Sequence, residues 1–289
     1  MSKTVVCYCD GGVCSQIMFY ARAMSLVDKG YRVRFDLDIY RKCPLDLSGR
    51  FARNFDFPLA FPALPCEEAS GLEMALARIG RRLRKMFGFS ILPYDYVKGY
   101  KDRAEALAEK FPELQLAFRP DLDDVRPDLL GAIADGPSCA VHCRRGDLSS
   151  YTPQYGEPPT GEYFTSIIRH IHGIAPEVRF FLFSDEPEWA EENVKGRLPQ
   201  DIKCETVRDN SSDKGYVDLY LMSLCDYQIA SQGSLAKFAW LLSRKPCSIY
   251  GERLGALTDM LIGKVREVTP GKRVFRVNHE GTCPVEIRP

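Results

Sequence analysis

No charge of one sign dominates this chain, no pair of cysteines falls at metal-binding spacing, and no apolar run is long. Each lack removes a class of protein. The 289 residues carry 39 basic and 39 acidic side chains, without the basic surplus expected of a nucleic-acid-binding domain, so the partner is expected to be small or locally charged. Eleven cysteines are present, yet none pair as C-x-x-C, so neither zinc spacing nor a disulfide framework is suggested. Several sit inside apolar runs, the ordinary habit of a buried reduced thiol, which makes a reducing cytoplasm the expected compartment. The opening apolar run meets Asp10 too early to be a signal core, and no segment is apolar over the thickness of a bilayer. Repeats, low-complexity segments and a complete G-x-G-x-x-G fingerprint are also missing.

What is there reads as α/β. Hydrophobic residues make up 45% of the chain, enough at this length for two moderate cores. Residues 4–9 form a short apolar run ending at Asp10-Gly11-Gly12, and residues 15–29 carry apolar side chains at helical spacing. Strand, glycine turn and helix are expected in that order. Residues 31–37 alternate apolar with charged, the period of a second strand. Residues 120–137 mix proline, aspartate and a short helical patch, and read as a junction between domains at 1–125 and 137–289. Beyond it, strands are expected at 139–144, 178–183, 227–230 and 247–250, and helices at 163–172, 217–224 and 235–242. That alternation implies a parallel sheet with helices on its faces.

The strand at 139–144 delivers His142, Arg144, Arg145, Gly146 and Asp147 to its carboxyl end, where ligands of an open α/β sheet sit. A guanidinium stays charged and offers paired donors that match two phosphate oxygens. Neighbouring strand residues point to opposite faces, so one arginine binds and the other braces. Arg144 is assigned to a phosphate, with His142 on its face and Asp147 as its orienting carboxylate. A solvated turn after an edge strand is the plainer alternative. Ser184 and Asp185 follow the strand at 178–183, suited either to ribose or phosphate or to capping a helix. Ser231 and Ser234 precede the helix at 235–242, whose free N–H groups and dipole favour an anion. They are the candidates for a second phosphate contact, with Lys237 either adding charge or lying in solvent.

The string His142-x-Arg144-Arg145-Gly146-Asp147 is similar to the H-x-R-R-G-D motif of bacterial α-1,2-fucosyltransferases. Three further segments resemble that family in the same order: the glycine turn and helix from Gly11 through Gln16 to Ala21, Phe180-Phe181-Leu182-Phe183-Ser184-Asp185 with Trp189, and Asp218-Leu219-Tyr220-Leu221-Met222-Ser223 with Cys225. The resemblance runs from residue 5 to about 245, with 40–135 matching poorly. Departures are Cys14 and Ser15 where the family has glycine and asparagine, the segment from Ser231 to Lys237 in place of its N-S-S-F-S-W-W, and Gly99-Tyr100-Lys101-Asp102 for its G-Y-W-Q. The donor side therefore looks retained and the acceptor side rewritten.

The resemblance implies two Rossmann-like domains facing a cleft, the GT-B type, with acceptor on the amino-terminal and GDP-fucose on the carboxy-terminal domain. It implies an inverting, metal-independent transfer of L-fucose to a glycan hydroxyl, O-2 of a galactoside, with no cofactor beyond the donor. Gly11, Gly12 and Gln16 become cleft-lining candidates, Asp218 a candidate for guanine, and Asp10 a speculative general base. Two other readings stand beside it: a metal-dependent glycosyltransferase using Asp36 and Asp38 as a D-x-D pair on one strand face, and a sugar-nucleotide-binding protein without catalysis. Residues 71–92 form a basic amphipathic helix, expected to pack on its own domain. The alternative is peripheral contact with the inner face of the cell membrane.

Overall fold

The structure is a computed structural model that describes residues 3–45, 49, 52–98, 103–121, 125–146, 156–208, 214–255 and 259–288. The chain divides into a unit of Met1–Asp46 with Ala52–Arg119 and a unit of Leu47–Phe51 with Pro120–Pro289.

In the first unit, β1 (Thr4–Tyr8) leads to α1 (Val13–Asp28), β2 (Arg32–Asp36), α2 (Asp38–Lys42), α3 (Phe57–Ala60), α4 (Gly71–Phe87), β3 (Tyr94–Val97) and α5 (Arg103–Ala117). The sheet order is β2-β1-β3, all parallel. The unbroken apolar run of β1 suits the central strand, covered on both faces, whereas β2 alternates because it lies at the edge. Tyr20 on α1 stacks on Phe57 at 4.1 Å, and Phe57 on Phe61 at 4.7 Å, which anchors the segment after α2 to that helix.

The second unit begins with α6 (Pro127–Ala134), which buries Leu129 and Ile133. The second half of the expected junction is therefore part of a folded unit. There follow β4 (Ser138–Cys143), α7 (Gly161–Ile174), β5 (Arg179–Ser184), α8 (Pro187–Asn193), β6 (Cys204–Thr206), α9 (Gly215–Ser223), β7 (Tyr227–Ala230), α10 (Leu235–Leu242), β8 (Ser248–Gly251), α11 (Asp259–Val268), β9 (Arg273–Arg276) and β10 (Val285–Glu286). The sheet order is β10-β9-β8-β7-β4-β5-β6, parallel except for the β10–β9 pair. Read from β6 to β9 this is the doubly wound order, with the chain starting in the middle at β4, running out to β6, and returning to β7 on the other side. The strand direction of winding reverses between β4 and β7, and at that switch point two connections leave in opposite directions and open a crevice. Every residue of β4 is buried, and Val141, Phe164, Ile168, Leu182 and Ile229 form part of one core around it.

Gly281 shows how tightly that core is closed. Its φ is +75°, and an added Cβ would lie 2.1 Å from the Tyr163 carbonyl oxygen. Tyr163 in turn donates through its hydroxyl to the Ala230 carbonyl (2.8 Å) and accepts from the Glu252 amide (3.2 Å), tying α7 to the ends of β7 and β8. Gly281→Ala combines a left-handed backbone with a clash against main chain, and is expected to lower stability by about 2–3 kcal/mol. The measurement is a urea midpoint at unchanged slope. An unmoved midpoint would mean that the turn relaxes freely.

Candidate functional site

The crevice of the second unit is built by the residues that follow β4, β5 and β7. Where β4 ends, the Arg144 amide donates to Ser231 Oγ at 3.2 Å, joining the exits of the two strands that flank the switch point. Arg144 Nη1 lies 2.9 Å from Asp185 Oδ2, an ion-pair distance without hydrogen-bond alignment. The same carboxylate accepts the Arg145 amide at 3.0 Å through its other oxygen. Burial pushes the Asp185 carboxyl above the ordinary carboxylate range although Arg144 pulls the other way. Arg145 turns to structure: its Nε donates to Glu186 at 3.2 Å, and its guanidinium lies 3.9 Å from the Trp189 ring centre. Of the two arginines, Arg145 is the brace. The carboxylate beside Arg144 is Asp185, supplied by β5, while Asp147 lies outside the described residues.

His142, on β4, is only 6% exposed. Among the described residues its Nδ1 has no hydrogen-bond partner. Burial, reinforced by Arg144 and Lys237, lowers its pKa from 6.5 to about 3, so the imidazole is neutral near pH 7. Gly233 lets the loop after β7 lie against this strand: a Cβ there would come 3.3 Å from His142 Cε1 and 3.4 Å from Arg144 Cγ. Sequence reasoning passed over Gly233, although its place between two candidate serines was a usable signal.

Ser231 is buried and its hydroxyl oxygen is taken by the Arg144 amide. Ser234 stands at the N-cap of α10 without a side-chain cap bond, so the first-turn amides of that helix are not closed by its hydroxyl. Lys237 is not a solvated side chain. It is 4% exposed and its Nζ donates to the Gln232 carbonyl at 3.3 Å, because the loop folds over it. At the far end of α10, the buried Lys272 ammonium donates to the Trp240 (2.5 Å) and Leu241 (3.0 Å) carbonyls, a cation where the helix dipole is negative. Arg144, Lys237 and the positive end of α10 thus converge on one side of the crevice, an arrangement that can hold a polyanion and stabilise growing negative charge on it.

The remaining expected residues of this unit behave differently. Ser184 uses its hydroxyl internally, donating to the Cys143 carbonyl at 2.8 Å and accepting the Glu186 amide at 3.0 Å. That is neither a helix N-cap nor a free ligand contact. Asp218 lies within the first turn of α9, which begins at Gly215, so it does not cap a helix starting at residue 219.

In the first unit, Asp10 follows the central strand, half-buried. Gly11 has φ +76°, and a Cβ there would touch Ser15 Oγ at 2.8 Å, whereas the space beside Gly12 is open. Gln16 is corrected from ligand contact to strut. It is 1% exposed, donates to the Gly11 (3.0 Å) and Asn54 (2.8 Å) carbonyls, and accepts the Phe57 amide (2.9 Å), which uses both ends of its amide. The D-x-D reading of Asp36 and Asp38 fails on geometry. β2 ends at Asp36 and α2 starts at Asp38, so the two do not share a strand face. Asp36 is buried and accepts from Tyr96 (2.7 Å) and Arg78 (3.1 Å), while Asp38 pairs with Arg41 (2.8 Å) and Lys42 (2.6 Å). Both carboxylates are already neutralised by internal partners.

Comparison with known proteins adds independent findings. The model of glycosyl transferase family 11 matches residues 77–250, more than half of the chain, including everything from β4 through α10. An alpha-1,2-colitosyltransferase of Escherichia coli is 28% identical over 136 residues, which are 46% of this chain and 45% of that relative. Among solved structures, E. coli ADP-heptose lps heptosyltransferase II aligns over 97% of this chain and 92% of its own at 12% identity and a TM-score of 0.49. A FUT1 mutant of Arabidopsis thaliana in complex with GDP aligns over 99% and 74% at 12% identity and a TM-score of 0.48.

Proposed function

The chain belongs to glycosyl transferase family 11, and from that premise we propose that it moves L-fucose from GDP-fucose to a glycan hydroxyl, with O-2 of a galactoside as acceptor. Family membership makes it a glycosyltransferase; donor, acceptor and mechanism are our reading. The observation that carries it is Arg144 at the β4–β7 switch point, held against Asp185 and Ser231 within the span that matches the family.

The acceptor oxygen bonds to C1 of fucose as the bond from C1 to the diphosphate oxygen breaks. The electron pair leaves with GDP, the hydroxyl proton passes to a base, and attack opposite the leaving group inverts C1. Negative charge grows on the diphosphate along this path, so Arg144 and the first-turn amides after Ser234 act more strongly in the transition state than before it. Lys237 adds to the positive field, while neutral His142 supplies a hydrogen-bonding group without a further charge. Asp218 accepts from the guanine N–H groups. Charge relief by guanidinium and helix leaves no step that calls for a metal ion.

The named activity of the Escherichia coli relative makes colitose the second candidate for the transferred sugar. A thermal-shift panel tests the donor assignment. GDP and GDP-fucose are expected to raise the melting temperature by about 5–10 °C at roughly 100 times Kd, with UDP and NADH inert. Equal stabilisation by UDP or NADH would overturn it. Binding of GDP-fucose with neither transfer nor hydrolysis would replace the transferase reading by a sugar-nucleotide-binding one.

A further inference from the structure

α4 carries large apolar side chains on its outward side that packing on its own unit does not use. It begins at a capping box between Ser70 and Glu73 and ends at Gly88, φ +77°. It buries Met74, Ala77 and Gly80, and at Gly80 the packing is so close that a Cβ would lie 2.5 Å from the Tyr94 carbonyl oxygen. At roughly 100° per residue, Leu72, Ile79 and Met86 fall together on the opposite side. They are 70%, 47% and 69% exposed, and the turn that follows leaves Phe89 at 66% and Ile91 at 86%. The helix does pack on its own unit, through Met74 and Ala77 against Val6 and Tyr96, with Leu76 and Leu83 half-buried; what that packing leaves over is Leu72, Ile79 and Met86, which face outward.

The border of this face is cationic. No Asp or Glu occurs from Met74 to Tyr94, while Arg78, Arg81, Arg82, Arg84 and Lys85 do. Arg78 pairs with Asp36 and Arg84 with Asp95, and Arg81 lies over the Tyr96 ring. Arg82 and Lys85, both exposed, have no acidic partner among the described residues. A two-fold pairing of the chain with a second copy through this face would set one basic border against another. An anionic bilayer complements both features, taking large apolar side chains at its acyl boundary and Arg and Lys among its headgroups. Among the described residues no helix is long and apolar enough to cross a membrane, so the contact in question is a surface one.

We propose that α4 and the turn through Ile91 seat this protein on the surface of an anionic lipid bilayer, independently of which sugar it transfers. The test is co-sedimentation of the full chain with phosphatidylcholine vesicles, with and without phosphatidylglycerol. Binding is expected only with phosphatidylglycerol and is expected to weaken in high salt. R82E with K85E should reduce it by about tenfold or more, as should F89S with I91S, with melting temperatures unchanged because all four side chains are exposed. No binding to either vesicle, or equal binding by the variants, would overturn the proposal. So would a concentration-dependent dimer in sedimentation that F89S with I91S abolishes, since the face would then belong to a second copy.

Discussion

Arg144→Ala is expected to remove the thermal stabilisation by GDP and to lower the transfer rate by about 10²–10³-fold, the usual loss when one preorganised donor to developing negative charge is deleted. The guanidinium is positioned before any ligand arrives. Its amide is fixed by Ser231, its side chain stands against Asp185, and any side chain at position 233 would crowd its Cγ. Little reorganisation is needed when the leaving diphosphate gathers charge. Arg144→Lys keeps the charge but not the paired donors, and is expected to recover only a small part of the rate. Removing Arg144 also strands the buried Asp185 carboxylate, so the double variant with Asp185→Asn guards against loss of folding. It should melt near the wild-type temperature and still ignore GDP. Arg145→Ala is the contrast: it loses the Glu186 and Trp189 contacts, so it should lower stability while keeping the GDP shift. A GDP shift that survives in Arg144→Ala would refute the assignment.

Acid is expected to destabilise this protein through His142. In the folded chain the imidazole titrates at about 3, against 6.5 when free. Between those values the unfolded chain binds a proton that the folded chain does not, so stability rises with pH there and is lost as pH falls from about 6.5 toward 3. At about 1.4 kcal/mol per pH unit, the full effect is on the order of 4–5 kcal/mol. Asp185 gives the opposite slope, because burial raises its carboxyl and the folded state then favours the protonated form. Urea denaturation at several pH values, comparing wild type with His142→Gln, isolates the histidine. The variant should lose its acid sensitivity in the upper part of that window, above the carboxylate range; below it, carboxylates held low by basic partners, such as Glu191 and Glu286, keep both proteins acid-sensitive. Identical slopes would mean that His142 is protonated in the folded state or has a partner that keeps it charged.

Much of the carboxy-terminal half was legible in order. The strand at 227–230 and the helix at 235–242 coincide with β7 and α10, because short β-branched and apolar runs alternate there with amphipathic segments. Short or marginal elements such as β6 and β10 were not, since two or three half-exposed residues carry no period. Gln16 looked like a ligand contact because it belongs to a motif. Only the approach of Asn54 and Phe57 shows that its amide is used inside the unit. Asp36 and Asp38 looked like a metal pair because their spacing is a strand repeat, and the strand stops between them.

The amino-acid order alone determined the family, the α/β class and the placing of Arg144 at a strand end, since motifs and periods are local properties of a chain. Only the tertiary structure decided that Asp185 stands beside that arginine, that Arg145 packs on Glu186 and Trp189 and that Leu72, Ile79 and Met86 of α4 face solvent. Those outcomes depend on β4 lying between β5 and β7 and on Met74, Ala77 and Gly80 forming the contact beneath α4. Sheet order and the choice of buried helix face bring together residues far apart in sequence, and no local pattern encodes them.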